Sequence, residues 1–344
     1  MELIKGKRVL VTGCCGTVGS EVIRQLIKNE EHRPSSVIGL DNNESELFFI
    51  DQEYSNDGLV DFYLCDLRDR DSLLRHMQGV DIVLHTAALK HVVLCERSPM
   101  EAVQTNILGV QNVVYAATKA NVDRVVFTSS DKAVNPTNVM GTSKLMGERL
   151  ITAANNNRAG YDTILSSTRF GNVLGSNGSV IPIFRDQIKK GGPVTLTDRD
   201  MTRFIMSIQQ SVKLVLDSVN IARGGDVLIT KMPVIKIKDL AEVMIKKLAP
   251  KYGRDPANIE IVEIGAKPGE KLYEELMSDE ETRRSVELKD YFSVIPAFKG
   301  NGKRNEYCYE DVVSSNVVNP YNSSVEACLS QEELEDFLVK NDLV

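Results

Sequence analysis

The chain has 344 residues, 42% of them hydrophobic and 26% charged, and carries a net charge of −7. That balance suits a globular protein with a sizeable core, in one large domain or two of ordinary size. It lacks the basic footprint of a nucleic-acid binder, an apolar run long enough to span a membrane, and, in Met1-Glu2-Leu3-Ile4-Lys5, the apolar core of a secretory signal, so a cytoplasmic protein with no nucleic-acid or membrane partner is expected.

In chain order, Arg8-Val9-Leu10-Val11-Thr12 reads as a buried strand, followed by a helix over about 18–28. Val37-Ile38-Gly39-Leu40-Asp41 is a second strand, with a helix over about 44–54. Phe62-Tyr63-Leu64-Cys65-Asp66 is a third, then 71–77 is helical, and Asp81-Ile82-Val83-Leu84-His85 is a fourth. A long helix over 106–120, a fifth strand Arg124-Val125-Val126-Phe127-Thr128-Ser129, a helix over 140–155 and a sixth strand Thr163-Ile164-Leu165-Ser166-Ser167 complete the alternation. Strands that alternate with helices predict βαβ units, and so an α/β doubly wound parallel sheet of Rossmann type over 1–169. Ligands of such a sheet lie beyond the C-terminal strand ends.

After Arg169 the texture changes. Gly171, Gly175, Gly178, Gly191 and Gly192 crowd together with Pro182 and Pro193, predicting a smaller mixed α/β substrate lobe over 170–298, some of whose segments return to the first domain. A helix is expected over about 238–248. Residues 299–344 read as a linker, Lys299 to Arg304, and a helical tail opened by a capping box, Ser330-Gln331-Glu332-Glu333. The six cysteines, Cys14, Cys15, Cys65, Cys95, Cys308 and Cys328, form no C-x-x-C pair and have no histidine cluster beside them. Reduced thiols are expected, with no zinc site and no disulfide framework.

Thr12-Gly13-Cys14-Cys15-Gly16-Thr17-Val18-Gly19 joins the first strand to the first helix. The backbone must turn sharply there, let a pyrophosphate approach, and pack the helix on the strand, and each demand favours glycine. Gly13, Cys15, Gly16, Thr17, Val18 and Gly19 are therefore expected to hold a nicotinamide dinucleotide through their backbone. Asp41 ends the second strand, with Asn42 beside it. Its carboxylate can accept from the adenosine ribose hydroxyls and would repel a 2′-phosphate, which favours NAD over NADP. The alternative is that Asp41 caps the following helix. Asp66, beside Leu67, is placed to meet the adenine amino group, and Ala87 and Ala88 leave room beside the ribose. The lone His85 near a strand end reads as a packed core residue.

The T-G-x-x-G-x-x-G spacing, the helix bearing Asn106 and a lysine, Lys144, on the next helix resemble the extended short-chain dehydrogenase/reductase family. In that family a tyrosine four residues before the lysine usually deprotonates the hydroxyl being oxidised. Here that position is Met140, whose thioether takes no proton. Ser130-Asp131-Lys132-Ala133-Val134-Asn135-Pro136-Thr137-Asn138-Val139-Met140-Gly141 is similar to the nucleotide-activated N-acetylglucosamine 4,6-dehydratase branch, where the same exchange recurs. So are Ala87-Ala88-Leu89-Lys90-His91, Arg169-Phe170-Gly171-Asn172-Val173-Leu174-Gly175-Ser176 and Pro268-Gly269-Glu270-Lys271. The resemblance runs from about Lys7 to Phe298. Membrane-bound members carry an N-terminal membrane region, so this chain resembles the short, soluble versions found in routes to bacterial nonulosonic acids such as legionaminic acid.

The resemblance implies a substrate of UDP- or GDP-N-acetylglucosamine and a 4-keto-6-deoxy product. Hydride leaves C4 for NAD, the ketone acidifies C5, a base takes the C5 proton while an acid protonates the departing C6 hydroxyl, and the hydride returns to C6. Such chemistry needs an acid and a base with well-separated pKa values. Asp131 is the expected acid. Lys132 is the expected base, its pKa lowered by burial and by Lys144. Lys144 is expected to bind the nicotinamide ribose, and Ser130 to relay the C4 proton in place of tyrosine. A strand-end salt bridge is the plain alternative for Asp131 and Lys132. Lys90, Asn106, Ser129, Phe170 and Asn172 complete the expected cofactor contacts. Asn172, Val180, Arg203 and Glu270, with Ser130, Lys90 and His91, are the expected substrate contacts, Arg203 binding phosphate bidentately. Lys90, His91 and Glu270 read equally as solvated surface residues. A homodimer through the two long helices is expected from the family. A sugar-nucleotide epimerase, or a non-catalytic dinucleotide-binding protein, remains the competing reading.

Overall fold

A computed structural model describes residues 2–157, 161–176, 178–265, 269–298 and 307–344. The first half alternates as β1 Arg8–Thr12, α1 Thr17–Lys28, β2 Ser36–Asp41, α2 Glu44–Tyr54, β3 Val60–Leu64, α3 Arg70–His76, β4 Ile82–His85, α4 Val92–Arg97, α5 Pro99–Ala102, α6 Gly109–Lys119, β5 Arg124–Thr128, α7 Val139–Asn156 and β6 Ile164–Arg169. The second half adds β7 Asn172–Val173, α8 Val180–Lys190, β8 Val194–Leu196, β9 Thr202–Met206, α9 Ile208–Ile221, β10 Val227–Thr230, β11 Val234–Lys236, α10 Ile237–Leu248, β12 Ile261–Glu263, β13 Glu275–Met277, α11 Asp279–Thr282, β14 Ser285–Leu288, β15 Tyr291–Val294, β16 Val312–Ser314, β17 Tyr321–Asn322 and α12 Gln331–Lys340.

The main sheet has ten strands in the order β16-β14-β15-β10-β6-β5-β4-β1-β2-β3. From β10 to β3 every neighbour is parallel. The fold is thus the doubly wound α/β plan. β1 shows how the sequence builds it. Val9 and Val11 join one core with Val22, Ile23 and Leu26 of α1 and Val212, Val215 and Val219 of α9. Leu10, between them, joins the other with Val110 and Val113 of α6 and Ile151 of α7. Successive strand residues face opposite sides, so a strand covered by helices on both faces is apolar throughout. A separate core joins α8, α10 and α12 through Ile181, Phe184, Leu240, Met244, Leu334 and Leu338.

Four expectations change in detail. The sheet is parallel only in part, because β15, β14 and β16 pair antiparallel at one end. The third strand lies two residues earlier than its apolar run suggested, so Asp66 stands beyond it in a turn. The helix read from Asn106 begins at Pro99 and passes through a π-helical turn, Val103–Leu108, before α6. Helix α4 was not anticipated; it buries Cys95 and turns Val93 and Leu94 outward. The capping box before α12 is present, with Ser330 Oγ accepting from Glu333 N at 3.2 Å and Glu333 Oε2 from Ser330 N at 2.8 Å. The expected linker from Lys299 to Arg304 lies outside the described residues, as does Pro268. Among the described residues no helix is long and apolar enough to cross a membrane.

Candidate active site

The glycine turn sits where β1 hands over to α1. Gly13 has φ +72°, and a Cβ there would lie 2.6 Å from Ala87 Cα, so only glycine fits between the ends of β1 and β4. A Cβ on Gly19 would strike the Gly13 carbonyl. Gly16 is the N-cap of α1 and brings no capping side chain, leaving the helix to open toward the cleft. These are the features a dinucleotide pyrophosphate requires: close backbone approach and the positive end of a helix.

Asp41 is tied to this turn. Its Oδ2 accepts from Cys15 N and its Oδ1 from Asn43 N, both at 3.0 Å. The cap of α2 is Asn43, accepting from Glu46 N at 3.3 Å, so Asp41 is not the helix cap. Cys14, Cys15 and Asp41 bring donor atoms within 4.8 Å of one another. Burial pushes both thiols up, Cys15 to about 12, so they stand as neutral thiols. Asp66 is clasped on both oxygens by Arg68, with Asn42 beside it. Leu67 is buried against the α6 start at Gly109, and Ala87 N points to Thr12 Oγ1 at 3.4 Å. His85 is fully buried, its Nδ1 2.7 Å from Thr12 Oγ1, and burial pushes it down to about 3, as befits a packed core residue.

Asn106 is a brace. Its Oδ1 accepts from Leu89 N, and its Nδ2 donates to Leu89 O and to Ser143 Oγ, all at 2.9 Å. The side chain expected to face the cofactor is thus engaged in holding the β4 loop against α7. Lys90 follows this loop, exposed, and His91 caps α4 without a side-chain bond and packs on Gly178. Ser129 is buried, its N donating to Thr168 O at 2.6 Å, and Phe170 O accepts from Asp131 N at 3.1 Å. Lys144 is buried one turn past Met140 on α7. Its Nζ donates to Thr128 O at 2.9 Å and lies 4.7 Å from the Phe127 ring centre. Burial lowers it to about 8. Met140 is buried with Cys95 and Ala102, packed like a core residue.

Beyond the strand ends lies a cavity of about 350 Å³. Asp131, Lys132, Asn172, Val180, Arg203 and Glu270, drawn from both halves of the chain, line it together. Ser130 Oγ donates to Asp131 Oδ1 from beside it. Lys132 Nζ lies 3.2 and 3.1 Å from the two Asp131 oxygens and 3.2 Å from Glu274 Oε1. Glu274, on the segment that closes the cavity, also meets Arg203 Nε at 3.2 Å and Asn172 Nδ2 at 2.9 Å. The sequence reading missed Glu274, although it follows the Gly269-Glu270-Lys271 stretch singled out there.

Two expectations are corrected. Burial works against the Lys132 ammonium, yet Asp131 and Glu274 outweigh it, so its pKa is raised, not lowered. Lys144 is not among the causes. Arg203 does not offer an open fork: Nη1 donates to Thr202 O at 2.8 Å and Leu272 O at 3.2 Å, and Nη2 to Lys271 O at 2.8 Å, with Glu270 at 3.9 Å. It clamps the 270–274 segment over the cavity. For Asp131, burial opposes the charge, but Lys132 and hydrogen bonds from Glu274 and Ser130 hold it below the usual carboxylate range. Burial and then Asp131 raise Glu274 to about 7.

A family model described as "Polysaccharide biosynthesis protein" matches residues 9–296. An uncharacterised membrane protein of Methanocaldococcus jannaschii is 50% identical over 305 residues, 89% of this chain and 90% of that one. A UDP-N-acetylglucosamine 4,6-dehydratase (inverting) of Campylobacter jejuni is 36% identical, covering 86% of this chain and 85% of its own. A UDP-glucose 4-epimerase of Rickettsia massiliae is 38% identical, covering 98% and 97%. Among solved structures, the X-ray structure of Pen from Bacillus thuringiensis matches with a TM-score of 0.90 and 39% identity over 99% of both chains.

Proposed function

We propose that this chain, which belongs to the polysaccharide biosynthesis protein family, is a sugar-nucleotide 4,6-dehydratase that converts UDP- or GDP-N-acetylglucosamine to the 4-keto-6-deoxy sugar for a cell-surface glycan. One observation carries the choice: Asp131 and Lys132 line the same cavity, in contact with each other and with Glu274. An epimerase acting at C4 needs only oxidation and return, whereas elimination needs an acid and a base on neighbouring carbons. The relatives include both activities, so the site chemistry is what favours dehydration.

Gly13, Gly16, Gly19 and Asp41 are the residues that would hold NAD, and the Asp41 carboxylate favours it over NADP by repelling a 2′-phosphate. When bound, NAD supplies the acceptor for the C4 hydride and the donor that returns it to C6. The protein's residues handle protons. Ser130, bonded to Asp131, passes the C4 hydroxyl proton to that carboxylate. Lys144 keeps positive charge beside the C4 oxygen. Asp131 delivers a proton to the C6 oxygen as water leaves, and Lys132 takes the C5 proton and returns it. The proton given up at C4 therefore replaces the one that departs with water. Asn172, Val180 and Glu270 contact the nucleotide-sugar.

Purified protein incubated with each sugar nucleotide and followed by NMR tests this reading. A C6 methyl signal with loss of H5 coupling is expected, and Asp131→Asn and Lys132→Ala should each abolish it with NAD still bound. An inverted C4 or C5 without a methyl would establish the epimerase instead. We also infer a homodimer, with Leu108, 52% exposed, and Met146, 45% exposed, as residues a second copy covers. Light scattering of the Leu108→Asp, Met146→Asp double variant should give a monomer; an unchanged mass would place the contact elsewhere.

A further inference from the structure

Glu274 has no part in the scheme above, yet its side chain is only 6% exposed and stands at the centre of the charged cluster. It comes from the lobe segment before β13, held there by three independent ties. Glu274 N donates to Ser323 Oγ at 2.9 Å, Arg203 grips both the backbone at Lys271 and Leu272 and the Glu274 carboxyl, and Asn172 Nδ2 holds Oε2. The charged groups that face it are Asp131, Lys132 and Arg203. Pairing with Lys132 and Arg203 offsets the cost of burying this carboxyl, and a second carboxyl set against Asp131 in a cavity wall is the arrangement that functional proton handling uses.

Lys132 cannot take the C5 proton while it carries its own. With Asp131 alone as neighbour, the ammonium would be stabilised and the carboxylate too weak a base to relieve it. Two carboxyls sharing one site differ: the first proton to arrive removes their mutual repulsion, so the pair binds it much more tightly than either would alone. We propose, resting on the dehydratase reading, that Glu274 and Asp131 act as one proton-holding pair that accepts the Lys132 proton when substrate fills the cavity, so that a single internal transfer creates both the C5 base and the C6 acid.

The balance closes. With Glu274 ionised, as it is above about 7, there are one ammonium and two carboxylates before transfer; after it, a neutral amine and a pair holding one proton, with the same net charge. In the elimination the C5–H bond breaks and its proton goes to Lys132, while the C6–O bond breaks and the pair's proton leaves in water. The C4 hydroxyl proton enters the pair through Ser130 as C4 is oxidised, ahead of the elimination, so the pair again holds one proton once water has left and Lys132 has returned its proton to C5. Exclusion of water by the sugar favours the transfer, because a less polar surrounding penalises the separated charges more than the neutral amine and acid. The raised proton affinity of Glu274 agrees with this role.

Glu274 acts through Asp131 and Lys132, so its test must separate proton handling from shape. Glu274→Gln keeps the shape and loses the second carboxyl; Glu274→Asp keeps the carboxyl. With UDP- or GDP-N-acetylglucosamine, whichever the native protein converts, Glu274→Gln should lose turnover by roughly 100-fold or more. It should still bind NAD, still reduce it with substrate, and fail to place solvent deuterium at C5. Glu274→Asp should recover part of both the turnover and the C5 exchange. Native C5 exchange and turnover in Glu274→Gln would overturn the pair and leave the dehydratase reading standing. Loss of C5 exchange in Glu274→Gln that Glu274→Asp does not relieve would reduce Glu274 to a packing residue. A native protein that makes no 4-keto-6-deoxy product would overturn both.

Discussion

Arg169 and Glu148 meet inside the protein, their side chains 1% and 3% exposed, through a two-pronged contact of 2.6 and 3.0 Å. Glu281 completes the set at 3.0 and 3.1 Å, and Arg169 Nη1 also donates to Leu276 O at 2.8 Å. One guanidinium thus ties β6, α7, α11 and β13 together, and β13 begins at the residue after Glu274. Replacing Arg169 by Met would leave two buried carboxylates facing each other, at a cost of about 3–5 kcal/mol. Urea unfolding should show that loss, and a variant near native stability would mean the carboxylates had found other partners. Burial opposes the Glu281 charge, but Arg169 holds its pKa down to about 2 from 4.5. A depressed carboxyl contributes stability that is fully present above pH 4.5 and is lost as pH falls toward 2, so the native protein should weaken across that window and Arg169→Met should not follow it.

Cofactor binding should fail in two separable ways. Gly13→Ala places a methyl 2.6 Å from Ala87 Cα and strains a backbone at φ +72°, so both fold stability and NAD affinity should fall. Asp41→Asn should leave the fold intact, weaken NAD by about tenfold through loss of charged hydrogen bonds, and narrow the preference against NADP. Fluorescence titration with each dinucleotide measures this. If both affinities stay native in Asp41→Asn, the carboxylate does not read the ribose.

Met140 stands four residues before Lys144, the position where the resemblance to extended short-chain dehydrogenase/reductases would place tyrosine, but it is packed with Cys95 and Ala102. Met140→Leu, a volume-conserving change, should cost less than ~1.5 kcal/mol and keep turnover within roughly threefold. A fall of two orders of magnitude would give the thioether a part in the chemistry. Met140→Tyr should crowd that cluster and destabilise by about 1–3 kcal/mol without raising the rate.

What the sequence discloses follows the range of the interactions involved. β1 and its glycine turn are legible because their signal is local: an apolar run, then glycines whose demands come from the next few residues and from one neighbouring strand. Asp131 and Lys132 were legible as adjacent residues at a strand end. Their ionisation was not, because the partner that decides it, Glu274, is 142 residues from Lys132 and reaches it only when the lobe folds over the cavity. Arg203 illustrates the same limit. Its guanidinium suggested phosphate, but the backbone carbonyls of Thr202, Lys271 and Leu272 take its donors, with Glu270 and Glu274 as ion-pair neighbours. Asn106 is expected at the cofactor from the family resemblance alone, and only the tertiary arrangement shows its side chain bonded to Leu89 and Ser143.

Lys144 sets a pH limit on the proposed reaction. Burial lowers its pKa from 10.5 to about 8, with Glu148 opposing the shift. Since the ammonium is the form that stabilises charge developing at the C4 oxygen, kcat/KM should fall as pH rises through about 8. Lys144→Arg keeps a charge that is not lost in this range, so it should be slower but show no such limb. A limb that persists unchanged in Lys144→Arg belongs to another group. Stability runs the other way. Between about 8 and 10.5 the unfolded chain still holds the Lys144 proton that the native protein has shed, so this group makes the native state more stable as pH rises through that window. The native protein should therefore gain stability relative to Lys144→Met from pH 8 upward while activity declines, a divergence that unfolding and rate measurements on the same samples would reveal.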